Sequence, residues 1–223
     1  SDELLYKIVN MLALYGVEPH QITGVIFSSV VPTLTGRLRE ALRKMCEAPV
    51  MEVGPGLKSG VRIRMDTPAQ LGGELLCAVV GALQRTAPPM VVINFDTATT
   101  LLAVDAAGTL VGGAILPGPQ CSLAALVANT AQLPQVELDA TPRRVIGTNT
   151  PDCLQSGIVY GTAAMLDGMV QRFCAKLNAP GAAVIATGTL PASIRSACTA
   201  EIDYRATLVL DGLFTIWTKN TRR

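Results

Sequence analysis

Met90-Val-Val-Ile-Asn-Phe-Asp-Thr-Ala-Thr-Thr-Leu-Leu-Ala-Val-Asp-Ala-Ala-Gly-Thr-Leu-Val-Gly-Gly-Ala-Ile-Leu-Pro-Gly118 is the stretch from which the rest of the chain can be read. Val91 to Phe95 is a short apolar run rich in β-branched residues, the pattern of a buried strand. Small hydroxyl residues follow at Thr97, Thr99 and Thr100. Leu101 to Val104 reads as a second strand, and Asp105-Ala-Ala-Gly108 turns it into a third, Thr109 to Ile115. A Thr-rich tight turn between strands can aim several backbone N–H donors and hydroxyls at one anion without a side chain intervening.

Outward from this hairpin, strands and helices alternate. Upstream, the pattern predicts a helix from Asp2, which can cap it, through Leu14. A strand over Ile22–Val31 and a helix from Thr33 or Thr35 to Met45 follow. Val50–Val53 reads as a strand and Gly54–Gly60 as a loop. Val61, Ile63 and Met65 alternate with Arg62 and Arg64, the period of a half-exposed strand. A helix from Pro68 to about Gln84 is broken by Thr86-Ala-Pro-Pro89. Downstream come a helix near Ser122–Asn129, a polar segment to Pro142 and a long helix over Pro151–Leu177. The chain closes with a strand at Ala183–Thr187, a short helix at Leu190–Ser196 and a last helix at Thr207–Lys219. Such alternation predicts an α/β fold. The Pro-rich break places a domain boundary so that 1–86 and 87–223 form separate domains.

Composition narrows the function. Of 223 residues, 49% are hydrophobic and the net charge is +1. No Lys/Arg run is long enough for a phosphate-backbone footprint, so nucleic acid is not an expected partner. No apolar run approaches the roughly 20 residues of a membrane helix. Six scattered cysteines without a Cys-x-x-Cys fit reduced thiols packed as small apolar groups, and the cytoplasm is the expected compartment. The sole histidine, His20, precedes a strand beside Pro19 and reads as structural or surface. Neither a Gly-x-x-x-x-Gly-Lys-Ser/Thr loop nor a dinucleotide fingerprint is present.

Asn94-Phe-Asp-Thr-Ala-Thr-Thr100 and Gly112-Gly-Ala-Ile-Leu-Pro-Gly118 resemble the type III pantothenate kinases, whose usual text is Asp-Phe-Gly-Thr-Ala-Thr-Thr and Gly-Gly-x-Ile-x-Pro-Gly. Ser28-Ser-Val-Val-Pro32, Gly54-Pro-Gly-Leu-Lys-Ser-Gly60, Ile146-Gly-Thr-Asn-Thr150 and Ser156-Gly157 match in order and near spacing. The resemblance implies two ribonuclease-H-like domains of the actin/hexokinase superfamily. It implies Mg²⁺ with ATP, pantothenate as the phosphoryl acceptor and a homodimer. The family usually opens with strands carrying Asp-x-Gly-Asn-Thr, while this chain starts at the following helix. The first domain is therefore expected to lack those strands, through truncation, disorder or natural absence.

Site residues follow from the same resemblance. Gly72-Gly-Glu-Leu75 stands where the family has Gly-Ala-Asp-Arg, which makes Glu74 the candidate base and Gly72, Gly73 and Leu75 substrate neighbours. Leu75 cannot offer the two parallel hydrogen bonds with which Arg grips a carboxylate. Met65 replaces a substrate-lining Tyr. Thr97 and Thr99, with Gly113, are expected to bind nucleotide, as are Thr187 and Gly188 of Thr187-Gly-Thr-Leu190. Thr150 is expected to reach substrate held by a neighbouring subunit. Asn94 replaces an Asp that helps hold a monovalent cation, K⁺ or NH₄⁺. Asp96 replaces a phosphate-approaching Gly and would set a negative charge beside the anions, while on a continued strand it would share a face with Asn94 and partly restore the lost charge. Two rivals stand beside the kinase reading: a catalytically degenerate homologue acting as a binding or regulatory module, and a kinase for another small hydroxylated substrate.

Overall fold

The computed structural model describes residues 1–221. Its helices and strands confirm an α/β protein, and the chain divides into two compact units. The first comprises Ser1–Gly60, Ala69–Gly81 and Val209–Arg223, and the second Val61–Pro68 and Ala82–Leu208. The division differs from a single break after residue 86, because the last helix returns to the first unit.

In the first unit, α1 (Asp2–Leu14) and α2 (Pro32–Met45) accompany a parallel pair, β1 (Val25–Phe27) and β2 (Val50–Glu52). Asp2 is the first helical residue rather than the cap, and its carboxylate pairs with Lys44 at 2.9 Å. The strand predicted over Ile22–Val31 is only three residues long. Ser29 interrupts it by accepting hydrogen bonds from Thr35 Oγ1 (2.8 Å) and Val31 N (3.4 Å), and Pro32 starts α2. The helix predicted from Pro68 begins later, since Pro68–Gln70 forms a 3₁₀ turn and α3 spans Gly73–Leu83. α7 (Leu208–Thr221) joins this unit: Trp217 lies against Gly24, Gly212 against the Cys77 carbonyl, and Asn220 Nδ2 donates to the Lys58 carbonyl at 3.1 Å.

The second unit is built on a six-stranded sheet ordered β3–β6–β5–β4–β7–β8. Its strands are β3 (Arg62–Ile63), β4 (Met90–Phe95), β5 (Ala98–Val104), β6 (Thr109–Pro117), β7 (Ala183–Gly188) and β8 (Asp203–Tyr204). β5 runs antiparallel to β4 and β6, while β7 is parallel to both β4 and β8. α4 (Pro119–Ala128), α5 (Thr150–Lys176) and α6 (Ala192–Ala197) complete it. Val91, Ile93, Phe95 and Leu101 of the sheet form one core with Leu123 of α4, Ile194 of α6 and the apolar stripe of α5. On α5 the buried positions Leu154, Ile158, Thr162, Leu166, Val170 and Cys174 recur every fourth residue, joined by Val159 and Ala163. Leu138, in the segment predicted to be polar, is also buried there, and Ser193 Oγ donates to its carbonyl.

Candidate active site

In the second unit, three chain segments meet at one end of the sheet. The β4–β5 turn closes with Asp96 N donating to Ala98 O at 3.1 Å. Gly118, the cap of α4, donates its N–H to Thr97 O at 3.0 Å, and Thr189 N donates to Phe95 O at 2.7 Å. This convergence needs glycine at 188: φ is +88°, and a Cβ would collide with the Phe95 carbonyl. Tyr204 Oη donates to Gly188 O at 2.6 Å, and the Arg195 guanidinium lies over the Tyr204 ring, 5.4 Å from its centroid. Tyr204 was not legible as a site neighbour, because the two-residue β8 leaves no periodic signal.

The structure sorts the candidate hydroxyls. Thr97 is exposed in the turn, while its carbonyl accepts from Gly118 N. Thr99 lies inside β5 opposite Phe95, fully buried on the core side of the sheet. Its Oγ1 has no hydrogen-bond partner among the described residues, so it does not join Thr97 at the turn. β5 starts at Ala98 rather than Leu101, and strand alternation turns Thr99 inward. Gly113 is likewise apart from Thr97. It pairs with Leu102, four residues up β6 from the Ala98–Pro117 pair that adjoins the turn. Thr187 is buried within β7, and only Gly188 reaches the strand end.

Asn94 pairs with Thr100 on one side and Thr187 on the other, so the three polar side chains form a buried row on the sheet face opposite Phe95. Asp96 does not extend this row. β4 ends at Phe95, the alternation stops, and Asp96 is exposed in the turn while Asn94 is 5% exposed. The pair predicted to restore the lost charge therefore does not form by strand geometry.

In the first unit, the Gly72-Gly-Glu-Leu75 block opens α3, and Glu74 is acidic in its first turn, where the helix dipole favours a carboxylate. Gly73 is packed against Ser28 Oγ and the Val53 side chain, so a methyl there would force Ser28 away. Two separate sequence motifs, Ser28-Ser29 and Gly72-Gly73-Glu74, are thus brought together. Glu74 and Leu75 are half-buried. Burial raises the Cys77 thiol to about 12, with the Glu74 charge adding to the effect. Met65, in the second unit, is half-buried just after β3.

Thr150 is the first residue of α5 and is exposed. Asn149 caps the helix by accepting from Asp152 N at 2.9 Å. An open depression of about 570 Å³ surrounds this helix start, lined by Gly147, Thr148, Asn149, Thr150, Cys153 and neighbouring leucines.

The second unit thus presents an exposed strand-end turn, and the first a carboxylate at a helix start. A family model for type III pantothenate kinase matches residues 1–172. A type III pantothenate kinase of Rubrobacter xylanophilus is 38% identical over 226 residues, covering 100% of this chain and 86% of that protein. One from Myxococcus xanthus is 37% identical over 220 residues, covering 99% and 85%. The chain belongs to the type III pantothenate kinase family. A solved structure of a conserved Campylobacter jejuni protein, assigned to the Baf transcriptional activators, shares the fold. Its TM-score is 0.60 at 19% identity, with 90% of this chain and 84% of that one covered.

Proposed function

We propose that this protein transfers the γ-phosphoryl group of MgATP to the primary hydroxyl of pantothenate, giving 4'-phosphopantothenate and ADP in the first step toward coenzyme A. The observation that carries this reading is the match to type III pantothenate kinases along the entire chain. In this reading the substrate oxygen bonds to the γ-phosphorus as the bond to the ADP oxygen breaks, and Glu74 takes or orients the hydroxyl proton. Positioning and charge stabilisation do most of the work in such a transfer. Gly72, Gly73 and Leu75, around Glu74 at the start of α3, line the acceptor. Thr97 and Gly188, at the strand ends, serve the nucleotide, and Thr187 supports Gly188 from within β7.

Mg²⁺ enters with ATP, held largely by phosphates and water, which suits a chain in which no group of three or more His, Cys, Asp or Glu converges among the described residues. A K⁺ or NH₄⁺ ion would draw on the Asn94 row, whose amide and hydroxyl oxygens are the donor type such an ion takes. Asp96 stands apart from that row. Both compact units are read as ribonuclease-H-like domains, the second on the strength of its single reversed strand in an otherwise parallel order. A homodimer, with Thr150 reaching the partner's substrate, and a cytoplasmic place complete the reading. The free cysteines suit the second point, and among the described residues no helix is long and apolar enough to cross a membrane.

Leu75 and the exposed Asp96 favour a second reading, a binding or regulatory module that has lost turnover. ATP-dependent formation of phosphopantothenate by the purified full-length protein decides the matter. Turnover with pantothenate is the expected result. Turnover only with another hydroxylated acceptor would move the substrate, and none with any acceptor would leave the module.

A further inference from the structure

The second unit holds a well-lined cavity away from the strand-end turn. About 680 Å³ in volume, it is lined by Ala103, Asp105, Val111 and the Gly112–Gly113 pair of the β5–β6 hairpin, by Arg64, and by Arg172, Phe173, Lys176 and Leu177 of α5. A register shift at Ala103/Val104 opens the hairpin here, the kind of bulge that re-aims side chains beside binding sites. Its walls are apolar, through Ala103, Val111, Phe173 and Leu177. Its charge is lopsided: Arg64, Arg172 and Lys176 face one carboxylate, Asp105.

That carboxylate is already engaged. Asp105 Oδ1 accepts from Ala107 N and Thr109 N, each at 3.0 Å, and Oδ2 pairs with Arg64 at 3.3 Å. Arg172 and Lys176, one helical turn apart on the same face, remain as the excess positive charge. Arg172 donates to the Gly168 carbonyl at 2.8 Å, a bond that anchors the guanidinium without neutralising it. The carbonyls closing α5 are themselves capped: Leu177 N bonds Phe173 O, Asn178 N bonds Ala175 O and Ala179 N bonds Cys174 O. The negative helix end therefore does little to offset the two cations.

We propose that this cavity is a binding site for a small organic phosphate monoester with an apolar body, separate from the proposed catalytic residues. A phosphate dianion matches the two excess cations, and the apolar body matches the walls. A carboxylate would leave one cation unmatched, and inorganic phosphate would leave the walls unfilled. The proposal does not depend on which acceptor the protein phosphorylates.

Titration calorimetry of the full chain with 1-naphthyl phosphate tests it, with 1-naphthol and inorganic phosphate as controls. A dissociation constant of about 0.5 mM or tighter is expected for a ligand of this size. Arg172→Glu combined with Lys176→Glu should weaken it roughly tenfold or more, and added salt should weaken it in the wild type. Both side chains are exposed, so circular dichroism should show the fold intact. If the reversed pair does not fold, Arg172→Gln with Lys176→Gln carries the same comparison. Amide shifts should concentrate in residues 103–113 and 172–177. Absence of binding, equal binding of 1-naphthol or inorganic phosphate, unchanged affinity in the variants, or competitive displacement by MgATP would each overturn the proposal.

Discussion

Glu74 and Thr99 make the sharpest claims at the scale of single residues. If Glu74 holds the acceptor hydroxyl, Glu74→Gln should lower kcat on the order of 10²-fold or more. Replacing the pair by the family's own residues, Glu74→Asp with Leu75→Arg, should raise kcat/KM for pantothenate, since guanidinium returns the bidentate partner of the substrate carboxylate. Steady-state phosphopantothenate formation measures both, and robust turnover untouched by Glu74→Gln would remove the base assignment. Thr99 makes the opposite prediction. Its hydroxyl is fully buried and has no hydrogen-bond partner among the described residues, a state that costs about 1–3 kcal/mol. Thr99→Val should therefore leave the melting temperature equal or higher and KM for ATP unchanged; a raised KM would return Thr99 to the nucleotide site.

At the scale of elements, α5 is held at both its cap and its middle. Asn149→Ala removes the bond to Asp152 N and should cost about 1 kcal/mol in denaturant unfolding. Leu166→Ala, in the centre of the buried stripe, should cost about 2–5 kcal/mol. Asp167, near the middle of the helix, ties down the end of α6. Burial works against its charge, but Thr199 N (2.8 Å), Ala200 N (2.9 Å) and Thr199 Oγ1 (2.7 Å) outweigh that and hold the carboxyl below its usual range. The stabilisation is thus present above the ordinary aspartate value of 3.8 and is lost as pH falls through the lower folded value. Chemical denaturation of wild type and Asp167→Asn should show a gap at pH 7 that closes as the solution is acidified below that value. A gap indifferent to pH would mean that the carboxylate charge contributes nothing.

For the whole molecule, the structure changes the argument for a dimer. The long apolar helix invites the expectation that its stripe is shared with a second copy. Ile158, Val159, Leu166 and Val170 are instead spent on the core of their own unit, and Ala163 is buried beside them on the helix. Met165 and Met169 of the same helix stay half-buried, and Val145 and Ile146, in the loop that leads to Thr150, are exposed apolar residues that a second copy could cover. Sedimentation equilibrium at micromolar concentration should give a dimer, weakened by Ile146→Asp. A monomer under these conditions would leave Thr150 without a neighbouring subunit to serve.

Much of this protein is written locally. The β4–β5–β6 meander, the length of α5 and the family itself follow from short motifs and from periods of 2 and 3.6, which depend only on neighbouring residues. Tertiary structure decided what depends on residues far apart in the chain. Trp217 beside Gly24 draws the final helix into the first unit, although the Pro-rich break after Thr86 suggests otherwise. The point at which β5 begins turned Thr99 into the core and left Thr97 outside, a distinction of two residues that a Thr-rich string does not encode. Ser28 meets Gly73, and Arg64 meets Asp105, across about forty residues or more of intervening chain. Local propensity fixes the kind of element a segment becomes, but burial against distant partners fixes which of its faces is left to act.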